Sequence, residues 1–183
     1  RPLPLAPGGL DANHIPFEID PEPAPFGTLR GHVARANPVW REASRATEAL
    51  VIFQGPGAYV SPSGYPTKKE TAKAVPTWNY VVVHAYGNLE LVEDTAATLD
   101  LLHRMVRSYE TAEPNPWNLA DQPADFIQRL AQQIVAFRIP IERLEGKWKL
   151  NQNHPQDRRE KVIAALEAGG PDEQAIARLM RET

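Results

Sequence analysis

The stretch from Ala49 to Gly87 is dense in side chains that could hold a phosphate-bearing planar ligand. Ser61, Ser63, Tyr65, Thr67 and Thr77 bring hydroxyls; Lys68, Lys69 and Lys73 bring ammonium groups; Gly57 offers bare backbone. Trp78, bracketed by Thr77 and Asn79, could supply a stacking wall with hydrogen-bonding groups on either side. The plainer reading is a long hairpin connection rich in turn formers. Structureless loops of more than about 12–15 residues are, however, uncommon without a function.

Two further groups could serve the same chemistry. His32, Arg35 and Asn37 follow one expected strand and precede an expected helix start at Asn37-Pro38. A phosphate there would meet free backbone N–H groups and a guanidinium able to grip two oxygens. Arg35 therefore ranks first among the cations, against the alternative of a capped helix with a solvated Arg. Near the end of the chain, Lys147-Trp148-Lys149 places both ammonium groups on one side of a strand and the indole on the other, with Gln152 just beyond. Its plainer reading is a solvent-facing strand end.

Other chemistries find no support. The five His form no HxH or HExxH pattern, so no metal site is expected. Neither a GxGxxG nor a Walker loop is present, and there is no GxSxG elbow. No pair of carboxylates reads as an acid–base couple, so no catalytic residue is assigned; any hard step would fall to a bound cofactor. A formal charge of −3 offers no global field for nucleic acid or an anionic membrane. No apolar run approaches the about 18–20 residues that cross a bilayer, and no membrane partner is expected. The absence of Cys excludes disulfides and suits a cytoplasmic location. The opening residue is Arg1, not Met, which reads as a start part-way through a longer protein, in a turn between strands.

These groups need a scaffold. His14–Asp20 alternates as a strand, demoted to an edge by Pro16, and Gly27–Ala34 returns as its hairpin partner. A short helix should run from Asn37-Pro38 through Trp40 to about Ala46. Leu50–Phe53 and Tyr80–Val83 read as buried strands, followed by a tight connection at Tyr86–Asn88 and a strand over Leu89–Val92. Asp94 or Thr95 would cap a helix with Leu99, Leu102, Met105 and Val106 on its apolar stripe. A helix from about Pro123 carries Phe126, Ile127, Leu130 and Ile134; period two from Val135 to Leu144 then predicts a strand. Helices over Pro155–Ala168 and Pro171–Arg181 close the chain. Eleven Gly and 18 Pro favour strands joined by turns. Strands precede most helices, so the expected fold is α+β, an antiparallel barrel with helical decoration. Residues 1–153 would form the barrel domain and 154–183 a helical extension.

HIPF (His14–Phe17), GTLRGHVARANP (Gly27–Pro38), ALVIFQGPGAYVSPSGYPTK (Ala49–Lys68), VPTWNYVVVHAYG (Val75–Gly87) and LEGKWKLNQN (Leu144–Asn153) together resemble the PaiB-type family of FMN-binding negative transcriptional regulators. The likeness runs from about His14 to Ala168. It implies the FMN-binding split β-barrel, similar to the pyridoxine phosphate oxidases and flavin reductases, with FMN at a homodimer boundary. On that resemblance the flavin contacts would come from His32, Arg35, Asn37, Ser61, Ser63, Tyr65, Lys68, Thr77, Trp78, Asn79, Lys147, Lys149 and Gln152. The family's opening helix and first strand precede HIPF and are missing from this sequence. Gly64 stands where SPSWY carries an aromatic in relatives. No helix-turn-helix, zinc finger or basic region is visible, so direct DNA binding is not expected. An FMN-dependent oxidoreductase and a cofactor-free dimeric interaction module are the alternatives.

Overall fold

The computed structural model describes residues 11–43, 48–64 and 75–183. Seven strands and five helices are found among them, in two compact units. The first comprises residues 1–50 and 86–143, the second 51–85 and 144–183. The chain is α+β with antiparallel sheets, as its strand-then-helix order led us to expect.

In the first unit a four-stranded sheet has the order β1-β2-β6-β5. Here β1 is Glu18–Asp20, β2 Thr28–Ala34, β5 Glu90–Val92 and β6 Ile134–Pro140. The β2–β6 ladder holds seven pairs, from Thr28 opposite Pro140 to Ala34 opposite Ile134. Val135, Ala136, Phe137 and Ile139 of β6 are all buried, so the period-two strand is found, but it ends at Pro140 and not at Leu144, which belongs to the next strand. Helix α1 (Val39–Ala43) starts where Asn37-Pro38 predicted, with the Asn37 carboxamide oxygen accepting from the Val39 N–H at 2.9 Å. The expected continuation to Ala46 lies outside the described residues.

Helix α2 (Thr95–Glu110) is capped by Asp94, whose carboxylate accepts from the Ala96 and Ala97 N–H groups. Its buried positions are Thr98, Leu101 and Met105, so the stripe is rotated from the expected Leu99–Leu102 line. The sheet meets the helix along the side that also carries small polar Thr98, which hydropathy alone does not mark. In α3 (Ala124–Ala131), Ile127 and Ala131 are buried, while Phe126 and Leu130 are exposed and Ile134 belongs to β6.

The second sheet has the order β3-β4-β7, with β3 Glu48–Val60, β4 Thr77–Asn88 and β7 Arg143–Lys149. Both β3 and β4 are far longer than the apolar runs that announced them. Gly57 and the Thr77-Trp78-Asn79 triplet lie in strands, not in the connecting loop. The strand passes through Gly55-Pro56-Gly57 because β4 lies close there: a Cβ at Gly55 would stand 3.3 Å from the Val81 Cβ. Leu50, Ile52 and Phe53 are not buried; they are 48%, 58% and 40% exposed. Burial on β3 comes later, at Ala58 and Val60.

Helices α4 (Gln156–Glu167) and α5 (Pro171–Glu182) match their predicted positions. Their Val162, Ile163, Leu166, Ile176, Ala177 and Met180 share one core cluster with Ala58, Val60 and Leu150. Most of this core comes from beyond residue 143, so the helices hold the second unit together. We expect Ile176→Ala, at a fully buried position, to cost about 2–5 kcal/mol in urea unfolding. A loss below about 0.5 kcal/mol, the usual size for a surface change, would mean that α5 is only loosely docked.

Candidate functional site

Strand alternation sorts the second unit's candidates by face. Asn79 is fully buried on the helix side, its Nδ2 donating to the Met180 Sδ at 3.4 Å. Its Oδ1 is buried without a partner among the described residues. Trp78 must therefore point the other way, and it is 53% exposed. Tyr59 flanks it, 54% exposed, with the two ring centroids 5.9 Å apart and the planes tilted by 53°. Two exposed aromatic faces side by side on a sheet make a surface suited to a flat ring.

Polar groups lie near this pair in sequence, though Thr77 shares the face of Asn79 and not that of Trp78. Ser61 lies two residues beyond Tyr59, and its Oγ donates to the Ser63 Oγ at 3.0 Å and accepts from the Ser63 N–H. Lys149 donates from Nζ to the Thr77 Oγ1 at 2.8 Å and lies 5.9 Å from the Tyr80 ring centroid. Lys147 is exposed on the same strand. Gln152 is occupied locally: its amide donates to the Trp148 carbonyl at 2.6 Å and accepts from the Leu150 N–H at 2.8 Å, in the manner of a strand neighbour. Tyr65 and Lys68 lie outside the described residues.

His32, Arg35 and Asn37 belong to the first unit. The Arg35 guanidinium donates through Nε to the Gln132 carbonyl at 2.7 Å and through Nη2 to the Ile134 carbonyl at 2.9 Å. Asn37 caps α1 with its oxygen and donates to the Asn13 side chain at 2.7 Å. His32 has a buried Nδ1 without a partner among the described residues, and burial holds its imidazole below the ordinary value of 6.5. Sequence reasoning thus placed Arg35 and Asn37 beside a helix start, but not the backbone carbonyls that occupy the guanidinium. It missed Tyr59 altogether. The signal was the period-two run Ala58-Tyr59-Val60-Ser61, hidden by the preceding Gly-Pro-Gly.

Exposed aromatic faces, hydroxyls and an ammonium group suit a ligand with a flat ring and an anionic tail, and flavin mononucleotide has both. These groups sit on an α+β chain of two antiparallel sheets with peripheral helices. Residues 5–143, more than half of the chain, match the family described as "Putative FMN-binding domain". The chain is 31% identical to the protease synthase and sporulation protein PAI 2 of Bacillus subtilis, over 93% of this chain and 80% of that protein. It is 35% identical to an uncharacterised protein of Aspergillus fumigatus, over 94% of this chain and 82% of that one. The FAD- and heme-binding protein from Mycobacterium smegmatis is similar to it with a TM-score of 0.47 and 18% identity, over 85% of this chain and 65% of that one. The chain belongs to the PaiB-type FMN-binding family, and FMN is its cofactor.

The buried His32 has a consequence for stability. Its folded-state pKa is depressed, so the unfolded chain takes up a proton first as pH falls. The stability it secures is complete above about pH 6.5 and declines below that value. His154, lowered by burial and then by the nearby Arg158 charge, acts in the same direction. We expect His32→Phe to flatten the fall in urea-unfolding stability below about pH 6.5 without abolishing it. An unchanged slope would show that His32 titrates alike in both states.

Proposed function

We propose that this chain is a homodimeric FMN-binding regulator of PaiB type whose effect on transcription is indirect. The observation that carries the flavin part is the exposed Tyr59–Trp78 pair, with Ser61 and Ser63 following Tyr59 in sequence and Lys149 reaching the strand end at Thr77. In this reading Trp78 and Tyr59 face the isoalloxazine ring. Lys149, Lys147 and the two serine hydroxyls, with Lys68 from the adjoining segment, hold the phosphate. Thr77 orients the Lys149 ammonium through their 2.8 Å hydrogen bond. Asn79 supports Trp78 from the buried side of β4. Arg35 and Asn37 serve the first unit instead, Arg35 by joining β2 to the β6 side through two carbonyls and Asn37 by starting α1.

Bound FMN supplies redox chemistry at its ring; the residues named here bind and orient it. No described helix is long and apolar enough to cross a membrane. A direct DNA reader is not part of the proposal, given a net charge of −3.

Protein purified without added flavin should show the two-banded visible absorbance of bound FMN. Steady oxidation of NADH or NADPH by that protein would instead favour the oxidoreductase reading. Lys149→Ala should weaken FMN by about ten- to a hundred-fold, the size of one charge-assisted bond, and leave riboflavin nearly unchanged. Equal losses for both ligands would remove Lys149 from the phosphate.

The dimer reading rests on Leu50 and Ile52, two large apolar side chains left exposed on one face of β3. A two-fold copy is the commonest way to cover such a surface. Ile52→Asp should turn a dimer into a monomer in light scattering at micromolar concentration. A wild-type chain that is already monomeric would end this part of the proposal.

A further inference from the structure

The first unit holds a cleft of about 590 Å³ that the flavin reading leaves unused. Val92, Ala131, Val135 and Ala136 give it an apolar floor. Arg35 stands at its rim, held by the carbonyls of Gln132 and Ile134, residues that line the same cleft. A guanidinium has five N–H donors. Two of Arg35's are spent on these carbonyls, at 2.7 and 2.9 Å. The three that remain lie at the Nη1–Nη2 end, an edge that grips a carboxylate with two parallel bonds.

The aromatic wall is tied to the same residue. Trp40 donates its indole N–H to the Arg35 carbonyl at 3.1 Å. The Arg41 guanidinium lies 4.8 Å from the Trp40 ring centroid. Gln128 and Thr95 also line the cleft, and neither side chain has a hydrogen bond among the described residues. Glu93 is the one acidic side chain among the described lining residues.

We propose that this cleft is a second ligand site, taking a small organic monocarboxylate with an apolar, ring-sized body. The carboxylate would meet the free edge of Arg35 and the body would rest on the apolar floor beside Trp40. Glu93 sets the charge limit: one negative charge is answered by Arg35, while a dianion also meets the repulsion of a neighbouring carboxylate. The site therefore selects against phosphate monoesters, FMN among them. A cation has the reverse problem, since Arg35 repels it.

The test uses the flavin-loaded protein with its four tryptophans replaced by 5-fluorotryptophan, and 19F NMR as the readout. Trp40→Phe assigns the Trp40 resonance. Phenylacetate should move that resonance saturably, with a Kd below about 1 mM, and benzylamine should not. Arg35→Gln should weaken phenylacetate at least about tenfold, the loss of one charge-assisted bond. Because Arg35 also joins backbone segments, Glu93→Gln is the decisive variant: it should tighten phenylacetate and admit phenyl phosphate. No saturable shift, equal binding of benzylamine, or an unaltered response in Glu93→Gln would each overturn the proposal. So would displacement of phenylacetate when FMN is added to flavin-free protein, since the cleft would then be the flavin's own. Flavin absorbance read on the same samples keeps this outcome separate from a failure of the FMN reading itself.

Discussion

The candidate flavin surface exists because β3 and β4 are wet on one side and covered on the other. Helices α4 and α5 bury Ala58, Val60 and Asn79, and pleating then obliges Tyr59 and Trp78 to face solvent. The helices are thus a condition of the site, although none of their residues is assigned to the ligand. The burial of Asn79 sharpens the point. A carboxamide oxygen without a partner among the described residues, in an apolar cluster, costs about 1–3 kcal/mol. That cost is sustained by the surrounding core of Leu150, Ile176 and Met180, which fixes the orientation of the strand.

The first unit depends on a different device. Its sheet is organised by the seven-pair β2–β6 ladder, and Arg35 extends that ladder beyond its last residue with two bonds to backbone carbonyls. An arginine used in this way is rigid, because its planar fork satisfies both carbonyls at once. Arg35 also lines the neighbouring cleft. His32, on the same strand, is held neutral by burial, so a histidine beside an arginine here adds no second charge near neutral pH.

Much of this was legible in the chain itself. Asn37-Pro38 states a helix start through the chemistry of its two residues, one an acceptor and one a preset φ, and no distant contact is needed to make it so. The closing helices are equally local: Pro155 and Pro171 open them, and helical spacing carries them through. The alternation of Val135, Phe137 and Ile139 gave β6. Family motifs spread across the chain pointed to FMN before any geometry was available. By contrast, the Leu50–Phe53 run reads as core by composition yet is exposed, because apolarity says only that a surface should be covered and not by what.

Sequence therefore determined the α+β class, the family and the chemical types at the site, since each rests on local preference or on motif. Tertiary structure decided which of those residues share a face. Trp78 and Asn79 are neighbours in the chain but lie on opposite sides of a sheet, and the direction of each follows from helices about 100 residues away. Tyr59 meets Trp78 only because the strands on either side of a long connection pair with one another. Arg35 reads as a free cation until carbonyls nearly 100 positions along the chain take two of its donors. Side-chain type is written residue by residue, whereas partners are set by the return of distant backbone.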